Sequence, residues 1–185
     1  MIETVKQDAK SRMEKAISNL KKELATIRTG RANPAMLDKV HVEYYGADTP
    51  LNQMANVSTP DPRTLMIQAW DKSALSDIER AISKADLGLV PSSDGVVIRI
   101  NIPPLTEDRR KELVKVAKKI GEESKVAIRN VRRDANDEMK KLEKSGDVSE
   151  DDARRSQEEI QKITDKFIEE IDSIVNTKEK EILEV

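Results

Sequence analysis

The chain has 185 residues, of which 37% are charged and 2% aromatic, with a formal net charge of −2 and no cysteine. The lack of cysteine excludes disulfide bonds, thiol nucleophiles and thiolate metal ligands, and it favours a reducing cytoplasmic compartment. Charged residues interrupt every apolar run, so neither a secretory leader nor a membrane span is expected.

A first long helix is predicted from Ile2 to about Arg28. Its apolar residues recur at helical spacing, and such a narrow apolar stripe needs partner helices to fold. The pattern breaks between Thr29 and Pro34, where a glycine permits unusual backbone angles and a proline disfavours helix. The stripe contains Ile2, Val5, Ala9, Met13, Ala16, Ile17, Leu20, Leu24 and Ile27.

Residues 38 to 104 follow a period of two, which predicts strands. Apolar and polar residues alternate in three segments, 40–44, 65–69 and 96–100. Turn-forming residues separate these segments, and a capping box beginning at Ser76 predicts one short helix. The segment is expected to fold as a small β-rich α/β domain.

Two further long helices are predicted after this domain. Thr106 is expected to cap the first of them, which continues to about Lys144 with Gly121 as the expected site of a bend. A tight connection at residues 145–147 leads to the last helix, which Ser149 caps. The short connection makes these two helices antiparallel neighbours.

The predicted fold class is therefore α+β, with a small domain inserted into a long three-helix bundle. The bundle is expected to contain residues 1–29 and 106–185, and the inserted domain residues 31–104. Two linkers near 29–31 and 103–106 are expected to act as a hinge, because one carries a glycine and the other is stiffened by prolines. The hinge residues are Thr29, Gly30, Arg31, Pro103, Pro104 and Leu105.

A basic stripe on the second long helix is the main candidate functional site. Three arginines occur within five residues, and the planar guanidinium suits phosphate better than an ammonium does. Residues at helical spacing share one face, so the stripe is a candidate RNA contact. It comprises Lys125, Arg129, Arg132, Arg133, Asn136 and Lys140.

The uneven charge of the chain supports a basic side and an acidic side of the bundle. Residues 106–146 hold thirteen Lys or Arg against nine Asp or Glu, whereas residues 147–185 hold six against thirteen. Counting outward from the hinge places Lys6 near Arg129, so Lys6 and Lys10 are expected to extend the stripe across two helices. The acidic third helix is expected to face away from RNA.

Catalytic chemistry is not expected. The sole histidine, His41, lies on a predicted strand without a partner at metal or triad spacing, and the six glycines are dispersed rather than gathered in a phosphate loop. Neither a metal nor a cofactor is predicted. From the residues alone, an RNA-binding factor and a helical adaptor or co-chaperone with a solvated basic face both remain open.

Several stretches, together covering the chain from end to end, resemble the bacterial ribosome recycling factor family. The stretches are IRTGRANPAMLD at 27–38, VEYYG at 42–46, DLGL at 86–89, PPLTEDRRKEL at 103–113, VRRDAND at 131–137 and SEDDARRSQEEIQ at 149–161. The resemblance implies a three-helix bundle with a small domain on two linkers, and an L-shaped outline like that of transfer RNA.

The resemblance also implies a function after translation termination. A member of the family is expected to bind the large ribosomal subunit across the transfer-RNA sites, and elongation factor G with GTP then separates the subunits. The family resemblance assigns Arg129 and Arg132 to large-subunit RNA contact and lets the small domain swing on the linkers. GTP belongs to elongation factor G, and the chain is expected to be a monomer without DNA or membrane partners.

Overall fold

The computed structural model describes residues 1–184, and these form two compact units. One unit contains residues 1–28 and 107–184, and the other contains residues 29–106. The first is built from long helices and the second from short strands with one helix. The predicted α+β fold class is confirmed.

The first unit is a bundle of three helices. They are α1, Ile2–Ala25; α3, Glu107–Lys144; and α4, Glu150–Leu183. The Ser149 side chain caps α4 by accepting a hydrogen bond from the backbone N–H of Asp152 at 3.1 Å. Gly146 turns the chain between α3 and α4 with a φ of 80°, a left-handed conformation that glycine adopts without strain.

The apolar stripe predicted for α1 lies on the observed core. In α3, Ala117 and Ile128 are fully buried, whereas Val116 and Ala127 are exposed. Burial of large aliphatic side chains stabilises the bundle, since its three helices contain a single aromatic residue. The largest fully buried side chains of the bundle are Met13, Leu20, Ile128, Met139 and Ile160.

Gly121 has a packing role that the sequence did not reveal. The helix α3 continues through this residue as one element, and a Cβ built on it would lie 2.7 Å from Cγ2 of Val175 on α4. The glycine therefore permits a close approach of two helices, which is a different role from the predicted bend.

The second unit contains a four-stranded antiparallel sheet and a two-stranded hairpin. The hairpin pairs β1, His41–Tyr44, with β2, Ala47–Pro50. The sheet has the order β3-β4-β6-β5, formed by Ala55–Asp61, Thr64–Ala69, Ile98–Asn101 and Pro91–Ser93. The sequence pattern did not predict strands β2, β3 and β5, because each contains proline and polar residues. These three strands are defined only by their backbone pairing with a neighbouring strand.

The short helix α2, Leu75–Lys84, covers this sheet with Leu75, Ile78 and Ile82 buried. The predicted capping box at Ser76 is wrong, because Ser76 lies inside the helix and the N-cap residue, Ala74, has no side-chain cap. Asp71 instead caps the single 3-10 turn that precedes α2, accepting a hydrogen bond from the backbone N–H of Ser73 at 3.0 Å.

Within residues 1–184, no helix is both long enough and apolar enough to cross a lipid bilayer.

Candidate RNA interface

Two arginines of the predicted stripe project from the outer face of α3. Arg129 and Arg133, here called the outer arginines, are both exposed and one helical turn apart. Arg133 has one weak ion pair, at 3.9 Å, with the neighbouring Asp134. Arg129 has no hydrogen bond or ion pair with any residue that the structure describes. The outer arginines thus keep most of their hydrogen-bond donors for an external anion.

Lys125 does not continue this outer face. Its side chain is only 16% exposed, and its ammonium lies 2.5 Å from an oxygen of Asp172 on α4 and 3.4 Å from an oxygen of Glu122. The hydrogen bond to Asp172 raises the pKa of Lys125 above its ordinary value. Lys125 is therefore a neutralised cation in the contact between α3 and α4, which from here on is called the α3–α4 seam.

Asn136 and Lys140, the other two members of the stripe, differ in environment. Asn136 is half-buried, and its side-chain oxygen is inaccessible to solvent without a partner among the described residues. Lys140 is exposed, as the outer arginines are. The predicted continuous stripe is therefore divided between the outer face of α3 and its flank towards α4.

Arg132 lies on this flank but has a neutral partner. Its Nη1 donates a hydrogen bond of 3.2 Å to Oε1 of Gln161 on α4. The Nε2 of Gln161 in turn donates a hydrogen bond of 2.8 Å to a carboxylate oxygen of Asp165, one turn further along α4. The half-buried Arg132 side chain is thus held at the edge of the outer face with its charge retained.

Lys6 is not next to the outer arginines, so this prediction is wrong. Its ammonium pairs with the carboxylate of Glu159 on α4 and, at 2.9 Å, with that of Glu3. The hydrogen bond to Glu159 raises the pKa of Lys6 and lowers that of Glu159. Lys6 therefore joins α1 to α4, while Lys10, further along α1, is exposed.

The error in placing Lys6 arose from the register between α1 and α3. Arg12 of α1 forms an ion pair of 3.1 Å with Asp134 of α3, and Glu23 lines the same cleft as Ile120. Roughly the first three turns of α3 therefore extend past the end of α1. Equal counting from the two linkers ignored this overhang, which arises because α1 ends at Ala25 and the chain then leaves the helix.

A shallow cleft of about 570 Å³ lies between α1 and α3 beside this ion pair. Its lining includes polar side chains that were not among the predicted site residues: Arg12, Lys15, Asn19 and Asn130. Gln161 was also missed. No sequence pattern could have selected these residues, because their positions depend on how neighbouring helices are aligned.

The predicted hinge residues lie in two non-helical segments at the ends of the smaller unit. Both segments are tied to the turn between β3 and β4: the N–H of Ala32 donates to the carbonyl of Pro62, and that of Ile102 to Arg63, each at 2.7 Å. The predicted hinge residues lie outside these two bonds: Thr29, Gly30 and Arg31 precede the first, and Pro103, Pro104 and Leu105 follow the second.

Gly30 lies where the two linkers run side by side. A Cβ built on it would meet the backbone nitrogen of Leu105 at 3.5 Å and the Cα of Pro104 at 3.6 Å, which are ordinary contacts. Its φ is outside the left-handed region, so its special backbone freedom is not used in this conformation. A small side chain would fit at this position.

His41 shows no catalytic arrangement in the structure. Its Nδ1 is 3.6 Å from a carboxylate oxygen of Asp48, and both side chains are largely exposed. Among the described residues, no group of three or more His, Asp or Glu side chains is placed to hold a metal ion. His41 and Asp48 lie at the edge of the hairpin formed by β1 and β2.

The fold and the site together define a class: an α+β protein whose helical bundle carries a cluster of exposed arginines. The ribosome recycling factor family model matches residues 20–183 of the chain. The chain therefore belongs to the ribosome recycling factor family, a family of non-enzymatic translation factors that act in ribosome recycling.

Individual relatives agree over the full length. The ribosome-recycling factor of Brevibacillus brevis is 65% identical over 185 residues, and the match covers 100% of both chains. A solution structure of a ribosome recycling factor is 43% identical, with a TM-score of 0.76 and coverage of 100% of this chain and 98% of that one.

A second similar structure contains the T. thermophilus ribosome recycling factor and the E. coli elongation factor G bound to the E. coli post-termination complex. Its chain is 52% identical with a TM-score of 0.66, and coverage is 100% of both chains. The predicted family is confirmed.

Proposed function

We propose that the chain binds the large ribosomal subunit across the transfer-RNA sites, with α3 against ribosomal RNA. With elongation factor G and GTP, it then splits the post-termination ribosome into subunits. The partner is taken from the similar structure of the T. thermophilus factor, which contains elongation factor G and the post-termination complex. Elongation factor G uses the GTP, and the chain itself needs no cofactor.

The contrast between cations on α3 carries the proposal for the RNA-binding face. Lys125 is neutralised by Asp172, whereas the outer arginines and Arg132 have no strong carboxylate partner on another helix within residues 1–184. A guanidinium presents five N–H donors in a plane, and bidentate contacts of this type suit phosphate oxygens. The unneutralised charge is therefore concentrated where a rigid helix can present it to structured RNA.

The type of RNA contact follows from the residues present. Aromatic side chains that stack on unpaired bases do not occur on α3, since its sequence contains none. Proteins that bind single strands rely on such stacking, whereas arginines on a helix suit the backbone of a folded RNA. We infer that α3 recognises the phosphate backbone, with Arg129, Arg132 and Arg133 as the central contacts. Lys140 on α3 and Lys10 on α1 are weaker contacts.

Lys6, Lys125 and Asn136 were also predicted to contact RNA. An ammonium that already has carboxylate partners gains less from a phosphate, because the partners must be displaced or share the charge. We therefore propose that Lys6 and Lys125 stabilise the helical packing behind the RNA-binding face. Asn136 adds no such stabilisation, because its buried side-chain oxygen has no partner among the described residues.

The salt dependence of binding to isolated large subunits tests the RNA-binding face. Each lost phosphate contact is expected to lower the slope of log affinity against log salt by about one. The double variant R129A/R133A should therefore bind less tightly and with a slope reduced by about two. The matched control is R154A/R155A, which removes two exposed arginines that pair with Asp151 and Asp152 on their own helix α4.

Two results would count against the RNA-binding face. If R129A/R133A binds with an unchanged slope, the basic face is only solvated, as in a helical adaptor. If R154A/R155A lowers the slope as much as R129A/R133A does, net charge rather than the outer arginines governs binding.

For the linkers, we propose that they allow the movement that elongation factor G drives. The absence of cysteine from the chain permits a reversible test. A Cβ on Gly30 would lie 3.5 Å from the backbone nitrogen of Leu105, so the pair G30C/L105C is a candidate for an introduced disulfide that joins the two linkers. The oxidised protein is expected to bind large subunits normally and to lose splitting activity with elongation factor G and GTP, and reduction should restore it.

Reduced protein serves as the control for the two substitutions. Splitting at the normal rate by fully oxidised protein would refute the hinge proposal, whereas loss of subunit binding would indicate damage to the fold.

Since ribosomes are cytoplasmic in bacteria, we infer that the chain acts in the cytoplasm. We propose that it acts there as a monomer.

A further inference from the structure

The α3–α4 seam contains two cations of α3 with chemically different partners on α4. Lys125 meets the carboxylate of Asp172 at 2.5 Å, and Arg132 meets the side-chain amide of Gln161 at 3.2 Å. The two contacts are two turns apart on α3. The same pair of helices therefore pairs one cation with a carboxylate and the other with a neutral amide. The shorter of the two carboxylate contacts of Lys125 comes from α4, since Glu122 on its own helix lies 3.4 Å away.

The orientation of the Gln161 amide is set by a second contact. Its Nε2 donates to Oδ1 of Asp165 at 2.8 Å, so its Oε1 is the atom directed at Arg132. An amide in the opposite orientation would place its N–H groups against the guanidinium and would lose the bond to Asp165. Asp165 thus fixes Gln161 as a hydrogen-bond acceptor.

A neutral acceptor restrains Arg132 without consuming its charge. One of the five guanidinium N–H donors is used by Gln161, and four remain for other acceptors. A glutamate at the same position would have nearly the same shape but could accept two parallel hydrogen bonds and cancel the charge. The restrained side chain also loses less conformational freedom when it binds, which favours affinity.

We propose that Gln161 is a positioning residue for RNA binding, which holds the Arg132 guanidinium in place and leaves it charged for a phosphate group of ribosomal RNA. This inference rests on the proposed function, in which Arg132 contacts large-subunit RNA. It adds that the partner on α4 decides which cation of α3 is available to RNA. A carboxylate partner pairs with Lys125, whereas an amide partner leaves Arg132 available.

The principal test is the variant Gln161→Glu, measured by binding to isolated large subunits over a range of salt concentrations. An ion pair between the introduced carboxylate and Arg132 competes with the phosphate for the guanidinium. Because a hydrogen bond to a charged group is lost, affinity should fall about tenfold. The salt slope should fall by about one.

The matched control is Asn176→Asp, which introduces the same charge on the same helix. Asn176 is exposed, has no hydrogen bond among the described residues, and lies roughly 22 Å along α4 from Gln161. This control is expected to bind almost as the wild-type chain does. Equal losses in both variants would overturn the inference, because the overall charge of α4 would then explain them.

The variant Gln161→Met separates positioning from charge. Methionine retains similar length but cannot accept the hydrogen bond, so Arg132 becomes mobile while its charge is unchanged. Affinity is expected to fall about twofold to threefold with an unchanged salt slope. Wild-type affinity in this variant would overturn the positioning role, and circular dichroism at 222 nm checks that each variant retains its helices.

Arg132→Ala distinguishes failure of this inference from failure of the proposed function. If R132A binds as the wild type does, the RNA contact of Arg132 is refuted and the inference falls with it. If R132A loses affinity while Q161E does not, the RNA contact stands and only the role of Gln161 is refuted. When both hold, Q161E should cause little further loss in an R132A background, because its effect passes through the missing guanidinium.

Discussion

Replacing Gly121 with alanine is expected to destabilise the helical bundle, although alanine is the better helix former. The new Cβ would lie 2.7 Å from Cγ2 of Val175, well inside the separation of about 3.5–4.0 Å at which carbon atoms normally meet. Valine in a helix has one strongly preferred side-chain rotamer, so the methyl group cannot simply turn away. Either the two helices separate or Val175 adopts a strained rotamer.

The expected magnitude follows from two opposing terms. Overpacking of this kind costs about 1–3 kcal/mol. Removing a glycine from a helix interior returns about 1 kcal/mol. The net loss of unfolding free energy for G121A is therefore about 1 kcal/mol.

A second substitution tests whether the contact with Val175 is the cause. V175A alone should cost about 2 kcal/mol through lost apolar burial and the cavity left behind. In G121A/V175A, the clash disappears and the new Cβ occupies part of that cavity. The double variant should therefore lose about 1 kcal/mol rather than the sum of about 3 kcal/mol.

Urea unfolding followed by circular dichroism at 222 nm measures these differences. The control A127G, at an exposed position of the same helix, gives the helix-propensity term without any packing change. If the effects of G121A and V175A add to within about 0.5 kcal/mol, the proposed contact between Gly121 and Val175 is refuted. If G121A is more stable than the wild type, the helices have more room than the structure indicates.

Three other predictions concern single side chains. The hydrogen bond from Tyr44 to Asp71 raises the pKa of Tyr44 to about 12. In a Y45F variant, where Tyr44 is the remaining tyrosine, absorbance at 295 nm should show it ionising near that pH. The further substitution D71N should lower the midpoint of this titration. This hydrogen bond stabilises the fold at pH values below the ordinary tyrosine pKa of about 10. The stabilisation is lost as the pH rises through the raised pKa of Tyr44 in the folded protein. S149A should cost about 1 kcal/mol in urea unfolding by removing the α4 cap, and an unchanged midpoint would exclude that role. T164V should change stability by less than about 1 kcal/mol, since the buried hydroxyl bonds only within its own helix; a larger loss would indicate a further partner.

Much of the fold could be predicted from local pattern. The limits of α3 were predicted closely, because Pro103 and Pro104 prevent an earlier start and the residues after Lys144 favour a turn. Periodicity also separated the helical unit from the strand-rich one. Strands such as β5, Pro91–Ser93, were missed because three polar or proline residues carry no alternating pattern and become a strand only by pairing with β6.

The basic cluster shows where local pattern stops being informative. Helical spacing correctly grouped Arg129 with Arg133 on an exposed face, since that relation depends only on the geometry of one helix. The same spacing placed Lys125 in the stripe, yet Asp172 on another helix neutralises it. Lys6 was misplaced for a related reason, since its level on α1 depends on the overhang of α3.

The sequence by itself determined the four α-helices and three of the six strands of residues 1–184, the family and the arginine cluster, because these depend on residues that are close along the chain. Only the tertiary structure decided that Gly121 permits a close helix contact and that Arg132 meets an amide while Lys125 meets a carboxylate. Such pairings follow from how α3 and α4 pack, and a shift of one residue would exchange every partner. The free energy that selects this alignment comes from the whole buried surface, which no single stretch of sequence displays.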